Sequence, residues 1–179
     1  MIYFTSDLHL DHDKDFIYKE RGFEDIHSHN LAILKNWNSV VTPDDTVYVL
    51  GDLMLGDNSV GMSVLKQLNG TIHIILGNHD TDSRIVLYKT LPQVTDITFA
   101  DRMRYKGYSF FLSHYPMCTG NGDKELKRAV INLHGHTHQR VNYIYENGNR
   151  MYHVGVDSHN MQLISIDDII TEIIEKEKA

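Results

Sequence analysis

The chain has 179 residues, 41% hydrophobic and 23% charged, which is the balance of one soluble globular domain and not of a disordered or membrane-spanning chain. A formal charge of −7 excludes a general nucleic-acid binder, which needs a dense basic surface, and no apolar run approaches the roughly 20 residues that cross a bilayer. The lone Cys118 rules out an intrachain disulfide and points to a reducing, cytoplasmic setting, while twelve histidines are the compositional feature to be explained.

Met1 leads directly into Ile2-Tyr3-Phe4-Thr5, which reads as a short buried strand with no leader-like segment before it. It runs into Ser6-Asp7-Leu8-His9. Alternate residues of extended backbone face one way, so Asp7 and His9 are expected to point together and offer one cation an oxygen and a nitrogen. Asp11 and His12 read as loop groups or as support behind the ligands. Residues 13–26 are polar and weakly patterned, a loop with one helical turn at most. Residues 28–41 carry Leu34, Trp37 and Val41 at helical spacing. Ser28 is the expected cap, Trp37 is expected in the core, and His27 and His29 are expected to be solvated. Thr42-Pro43-Asp44-Asp45 is a turn.

Thr46-Val47-Tyr48-Val49-Leu50 is a second strand and ends in Gly51-Asp52. A helix over residues 60–68 and an Asn69-Gly70 stop lead to Thr71-Ile72-His73-Ile74-Ile75-Leu76, a third strand. Strand, helix, strand implies a βαβ unit with parallel pairing. The third strand delivers Gly77-Asn78-His79-Asp80. Asn78 offers a carbonyl oxygen to a cation, His79 an imidazole that can carry a proton, and Asp80 a carboxylate that can hold a neighbour.

A helix over 81–91 ends at Pro92. Strands follow over 95–99, 103–105 and 109–113, the last two joined as a hairpin through Lys106-Gly107-Tyr108, and His114 stands just past them. Cys118 reads as a small buried hydrophobe, not as a nucleophile paired with His114. Lys124, Lys127 and Arg128 form a basic cluster: a solvated face, or a contact for an anionic substrate if it borders the site. Val130-Ile131-Asn132-Leu133 delivers His134-Gly135-His136-Thr137-His138, where His136 and His138 alternate as Asp7 and His9 do. Strands over 140–145 and 151–154 are joined by an Asn147-Gly148 turn. Residues 154–160 then return the chain toward the same edge, with His159 as a candidate substrate contact. A strand over 162–165 leads to a helix capped at Ser165, with Ile169, Ile170, Ile173 and Ile174 on one face.

Five strand ends thus carry metal-competent residues: Asp7 and His9, Asp52, Asn78 and His79, His114, and His136 and His138. Gly135-His136-Thr137-His138 after an apolar strand is the most specific local metal signal, whereas each of the others alone could be ordinary loop polarity. Together they exceed the needs of one cation and suit two that share a carboxylate. Asp-x-His, Gly-Asp, Gly-Asn-His-Asp, a lone His and Gly-His-x-His stand here in the order in which the chain resembles the calcineurin-like metallophosphoesterase superfamily, from Asp7 to about Asp157. Within it, the chain is close to small stand-alone bacterial or phage phosphoesterases without a cap domain.

The resemblance implies one domain over residues 1–179 with an α/β fold, a two-sheet mixed β-sandwich flanked by helices in four layers, α/β/β/α. It implies that Asp7, His9 and His138 hold one metal, that Asn78, His114 and His136 hold the other, and that Asp52 bridges both. His79 would be the catalytic histidine and Asp80 would orient it. No family motif falls on residues 11–26.

Two cations about 3.5–4 Å apart can clamp a phosphoryl group and activate a bridging water. The expected chemistry is therefore hydroxide attack on phosphorus, with His79 protonating the leaving oxygen. Nitrogen and oxygen donors without thiolate favour Mn, Fe, Co, Ni or Zn over Mg or Ca, manganese first. The expected substrate is a small phosphodiester, with nucleotides among the candidates and Lys124, Arg128 and His159 as contacts. A chain with no room for a cap leaves its site open, and an open site accepts groups on both sides of a phosphate. A phosphomonoesterase, acting on a protein or a nucleotide, is the alternative. A scaffold on the same fold would not need His79, and a closed structural metal site would leave no position for water. Neither a long nucleic acid nor a membrane is an expected partner.

Overall fold

The computed structural model describes residues 1–120, 125–146 and 148–178. Strands β1 (Ile2–Thr5), β2 (Thr46–Leu50), β3 (Thr71–Ile75) and β4 (Val94–Thr98) lie parallel and adjacent in that order, and the short β10 (Ile164–Ser165) pairs antiparallel with β1. The crossovers are helical, as the βαβ reading requires: α1 (Asp15–Tyr18) and α2 (Ile26–Val40), then α3 (Asn58–Leu65), then α4 (Asp82–Tyr88). A parallel sheet covered on both faces needs apolar residues on both, and β2 and β3 supply them. Val47, Val49, Ile72 and Ile74 join Ile33, Trp37, Leu65 and Tyr88 of the helices in one cluster. Trp37 is fully buried there, and its indole nitrogen donates to the carbonyl of Asn69 at 2.9 Å, which ties α2 to the turn before β3.

Helix α2 starts earlier than its apolar spacing suggests. Asp25, not Ser28, is its cap: the Asp25 carboxylate accepts the Ser28 amide at 2.7 Å, and the Ser28 hydroxyl turns back toward the Asp25 amide. A negative charge at a helix start also gains from the peptide dipoles, which a serine hydroxyl does not. His27 is exposed as expected, whereas His29 is fully buried.

The second sheet runs β5 (Ala100–Tyr105), β6 (Tyr108–Ser113), β7 (Val130–His134), β9 (Asn149–His153), β8 (Tyr143–Glu146) in spatial order. Strands β6, β7 and β9 are parallel, and the two edges are antiparallel. Lys106 and Gly107 both take left-handed backbone in the β5–β6 hairpin, which matches the twist of a two-residue turn. Phe4, Leu50 and Ile75 of the first sheet meet Phe110, Leu112, Ile131 and Leu133 of the second. Helix α5 (Ile166–Lys176) is capped by the Ser165 hydroxyl, as its sequence predicts, and lays Ile169, Ile170 and Ile173 into the same cluster. The result is the expected pair of mixed sheets flanked by helices. Among the described residues no helix is long and apolar enough to cross a membrane.

The sheets meet so that the carboxyl ends of β1, β2, β3, β6 and β7 share one rim. Ser6 bridges to Gly155, the His114 carbonyl accepts the Gly135 amide at 3.0 Å, and the His114 ring reaches the Leu50 carbonyl across the sheets at 2.8 Å.

Candidate metal centre

Strand alternation is not what aims the site residues. β1 ends at Thr5, and Asp7 and His9 lie beyond it with φ of 57° and 48°. Asp52 (58°), His136 (69°) and His138 (49°) are left-handed too. Such backbone costs a non-glycine residue about 1–3 kcal/mol and persists only where the surroundings impose it. Here backbone hydrogen bonds do so. The amides of Asp7, His9 and Leu10 donate to the carbonyls of Gly51, Asp52 and Leu53, each at 3.0 Å, so the β1 and β2 loops stay zipped past the strand ends. Gly77 serves close approach, not a turn: a Cβ there would lie 2.2 Å from Asp52 Oδ1. Gly135 is similar, with Asp7 Oδ2 2.6 Å from where its Cβ would stand.

All seven expected ligands converge. On one side Asp7, His9 and His138 bring donor atoms within reach of a common point, with His9 Nε2 3.2 Å from His138 Nε2 and His138 Nε2 3.8 Å from Asp7 Oδ1. On the other, Asn78 Oδ1 lies 2.9 Å from His114 Nε2 and 3.0 Å from His136 Nδ1. Asp52 Oδ2 sits between them, 3.8 Å from His9 Nε2 and 3.5 Å from His114 Nε2. Asp7 also reaches Asp52 and His114, so both carboxylates lie on the seam.

This donor set fits divalent cations. Asp7 and Asp52 are buried carboxylates, and among the described residues their ion-pair partners are imidazoles only: His138 and His153 for Asp7, and His9, His79 and His114 for Asp52. Two buried carboxylates without lysine or arginine need a positive partner, and metal ions would supply it. The imidazoles are presented as acceptors. A carbonyl can only accept, so His114 Nδ1 carries the proton toward Leu50 and Nε2 faces the cluster. His138 Nδ1 likewise donates to Asp157 Oδ2 at 2.8 Å. Burial, reinforced by the Arg21 charge, pushes the His9 pKa down to about 2, and burial lowers that of His136 as well. Imidazoles that resist protonation keep their lone pairs for a metal. Burial raises the Asp7 pKa, and the hydrogen bond to Asp157 raises that of His138 against its own burial.

Asp80 does not touch the His79 ring. Its carboxylate accepts the amides of Asp52 (2.8 Å), Gly77 (2.9 Å) and Leu53 (3.3 Å) and the Tyr88 hydroxyl (2.8 Å). Asp80 thus clamps the two loops that carry Asp52 and His79, and bears on His79 through that backbone. His79 itself lies at the open edge, its side chain 39% exposed, with Nε2 3.9 Å from Asp52 Oδ2.

The expected substrate contacts fare differently. Lys124 lies outside the described residues. Arg128 is exposed and precedes β7, at the opposite end of that strand from His136 and His138. His159 packs its ring on Tyr152 and bonds the His153 carbonyl at 3.0 Å, so the structure does not bring it to the cluster. Cys118 is exposed instead of buried and lines a separate cavity with Phe111 and Met117.

Two site residues carry no motif. Arg21 is almost fully buried and makes two 2.8 Å hydrogen bonds to Asp157, one of 2.9 Å to the Asp7 carbonyl and one of 3.0 Å to His29 Nε2. Asp157 holds His138. Burial opposes its ionisation, but the bonds from His138 and Arg21 outweigh that and keep its carboxyl well below the usual range. The return of residues 154–160 to this edge was the one sequence signal for Asp157. Arg21 had none, being a single arginine in an unpatterned segment.

Residues 1–156 match the calcineurin-like phosphoesterase superfamily domain. The chain is 33% identical to the uncharacterized protein MJ1445 of Methanocaldococcus jannaschii, over 99% of this chain and 93% of that one. It is 30% identical to the gene 66 protein of Mycobacterium phage L5, over 98% and 96%. The solved structure of the protein of unknown function AQ665 from Aquifex aeolicus superposes with a TM-score of 0.68 at 25% identity, covering 96% of this chain and 98% of that one. With a family match that spans the whole cluster, from Asp7 to His138, this chain belongs to the calcineurin-like phosphoesterase superfamily.

Proposed function

We propose that the protein is a metal-dependent phosphoric ester hydrolase that acts on a small phosphodiester with two divalent transition-metal ions, manganese favoured. One observation carries the reading: Asp52 Oδ2 faces His9 at 3.8 Å and His114 at 3.5 Å, so a single carboxylate joins two sets of donors. In this reading Asp7, His9 and His138 hold one ion, Asn78, His114 and His136 the other, and Asp52 both. Bound cations would neutralise the phosphoryl oxygens and make water a nucleophile at neutral pH.

The chain supplies the rest. The His79 amide donates to Asp52 Oδ1 at 2.9 Å, which fixes the base of the side chain beside the cluster. Its half-exposed ring, with Nε2 3.9 Å from Asp52 Oδ2, can then hand a proton to a departing alkoxide. The preference for a diester rests on the open rim. His79, His136 and His138 all reach solvent, which leaves room for a group on each side of a phosphate. The net charge of −7 weighs against long nucleic acids, whose binding sums many phosphate contacts.

The test compares bis-p-nitrophenyl phosphate with p-nitrophenyl phosphate under Mn²⁺ supplementation. A higher kcat/KM on the diester is expected. The reverse order would replace the diester by a monoester, and no turnover of either would remove the hydrolase reading.

A further inference from the structure

Residues 11–26 match no motif, yet they wall a cavity of about 400 Å³ that opens onto His9, His79 and His138. That volume is in the range of small-molecule sites and exceeds what a bare phosphate fills. Phe16 is 65% exposed in this wall, although its neighbours Ile17 and Tyr18 in α1 are buried. Its ring meets that of His12 edge-on at 5.6 Å, and the His12 ring stacks on that of His9 at 5.3 Å. An aromatic path therefore leads from a candidate metal ligand to an uncovered phenyl face.

Arg140 also lines this cavity, exposed on a chain of net charge −7; its guanidinium has one long contact of 3.4 Å, to the Glu20 carbonyl, and no carboxylate partner among the described residues. Glu20 lines the same cavity.

We propose that this cavity is a nucleotide subsite, with a nucleobase stacked on Phe16, sugar hydroxyls donating to Glu20 and a phosphate held by Arg140. Every base has a π-face that an aromatic side chain can cover, whatever its sequence identity. A guanidinium matches phosphate oxygens in a planar fork. A lipid phosphodiester would ask for an apolar groove, and this wall is mostly histidine, arginine and carboxylate. The proposal rests on the phosphoesterase reading and names its substrate class.

The test uses two diesters with the same leaving group, thymidine 5′-(p-nitrophenyl phosphate) and methyl p-nitrophenyl phosphate, on the Mn²⁺-supplemented protein. The nucleoside ester is expected to have the higher kcat/KM, by roughly ten-fold or more. Phe16→Ala is expected to bring the ratio toward one, and Phe16→Trp to preserve it. Calorimetry of adenosine 5′-monophosphate gives a readout without turnover, and its affinity should fall in both Phe16→Ala and Arg140→Gln. Equal kcat/KM values for the two diesters in the wild type, or a ratio and an affinity that Phe16→Ala leaves unchanged, would overturn the subsite while the hydrolase reading stands. Turnover of neither diester, with nucleotide binding intact, would fault the hydrolase reading instead.

Discussion

Asp80 Oδ2 accepts the backbone amide of Asp52 at 2.8 Å, 28 residues away in sequence, and so fixes the left-handed residue whose carboxylate stands between the two halves of the site. The same carboxylate takes two further amides and the hydroxyl of Tyr88, whose pKa is pushed up by its burial and then by the Asp80 charge. Asp80→Ala would leave these buried groups without partners, each at about 1–3 kcal/mol. Its melting temperature and its metal affinity should therefore fall together. A variant of normal melting temperature, whose only defect is a displaced pH–rate profile, would return Asp80 to the direct service of His79.

His79→Ala and Asp52→Ala should fail in different ways. The first removes a proton donor at the rim and is expected to keep its metals while losing roughly 10²- to 10⁴-fold in turnover of an alkyl ester. The loss should be smaller on p-nitrophenyl esters, whose leaving group needs no proton. The second removes the carboxylate common to both sets of donors, and elemental analysis should find the protein depleted of metal. Full metal content in Asp52→Ala would contradict the bridging role.

Arg21 and Asp157 form a support for His138 that can be tested without turnover. Their two 2.8 Å bonds hold the carboxylate that receives the His138 ring proton. Partners of this kind are worth about 10- to 100-fold in metal affinity. Competition with a chromophoric chelator should show a loss of that size in Asp157→Asn and Arg21→Met. Affinities equal to wild type would make the pair a brace of the fold only.

Buried histidines set the acid limit of the metal-free protein. Burial, then the Arg21 charge, lowers the His29 pKa from 6.5 to about 4, and burial, then His134, lowers that of His153 to about 3. A base with a depressed folded pKa binds more protons when unfolded. Its contribution is complete above pH ~6.5 and disappears as pH falls toward the folded value. For His29 this is on the order of 3 kcal/mol. Urea midpoints of chelator-treated protein should drop between pH 6.5 and 4, and His29→Gln, which still offers Arg21 an acceptor, should flatten the drop. An unchanged slope in that variant would place the acid sensitivity elsewhere.

The order of the elements was legible because β2, β3 and β7 are short runs rich in β-branched or apolar residues and their tips carry polar residues in sequence. Which donors meet was legible for the same reason, since parallel strands bring their carboxyl ends to one edge. The mode of aim was not. Asp7 and His9 looked like alternate residues of a strand, but hydrogen bonds to the β2 loop, made far along the chain, bend them into left-handed backbone. Asp80 looked like a partner for its neighbour His79, and only the closeness of Gly77 to Asp52 shows why it turns inward. Arg128 and His159 fell away because charge and type do not tell which end of a strand a residue will occupy. Arg21 could be found only once the fold had placed it beneath His138.

The glycine at 77 bears on how such a site can change over generations. With Asp52 Oδ1 2.2 Å from where a Cβ would stand, and a comparable collision of Gly135 with Asp7, no side chain enters either position without displacing a carboxylate. The inner rim is thereby closed to variation. Phe16, Glu20 and Arg140 stand outside it, exposed, and can be exchanged with the donors left in place. A lineage carrying this architecture can move from one phosphoester to another by drift at a few outer positions, while the atoms that perform the hydrolysis are inherited unaltered.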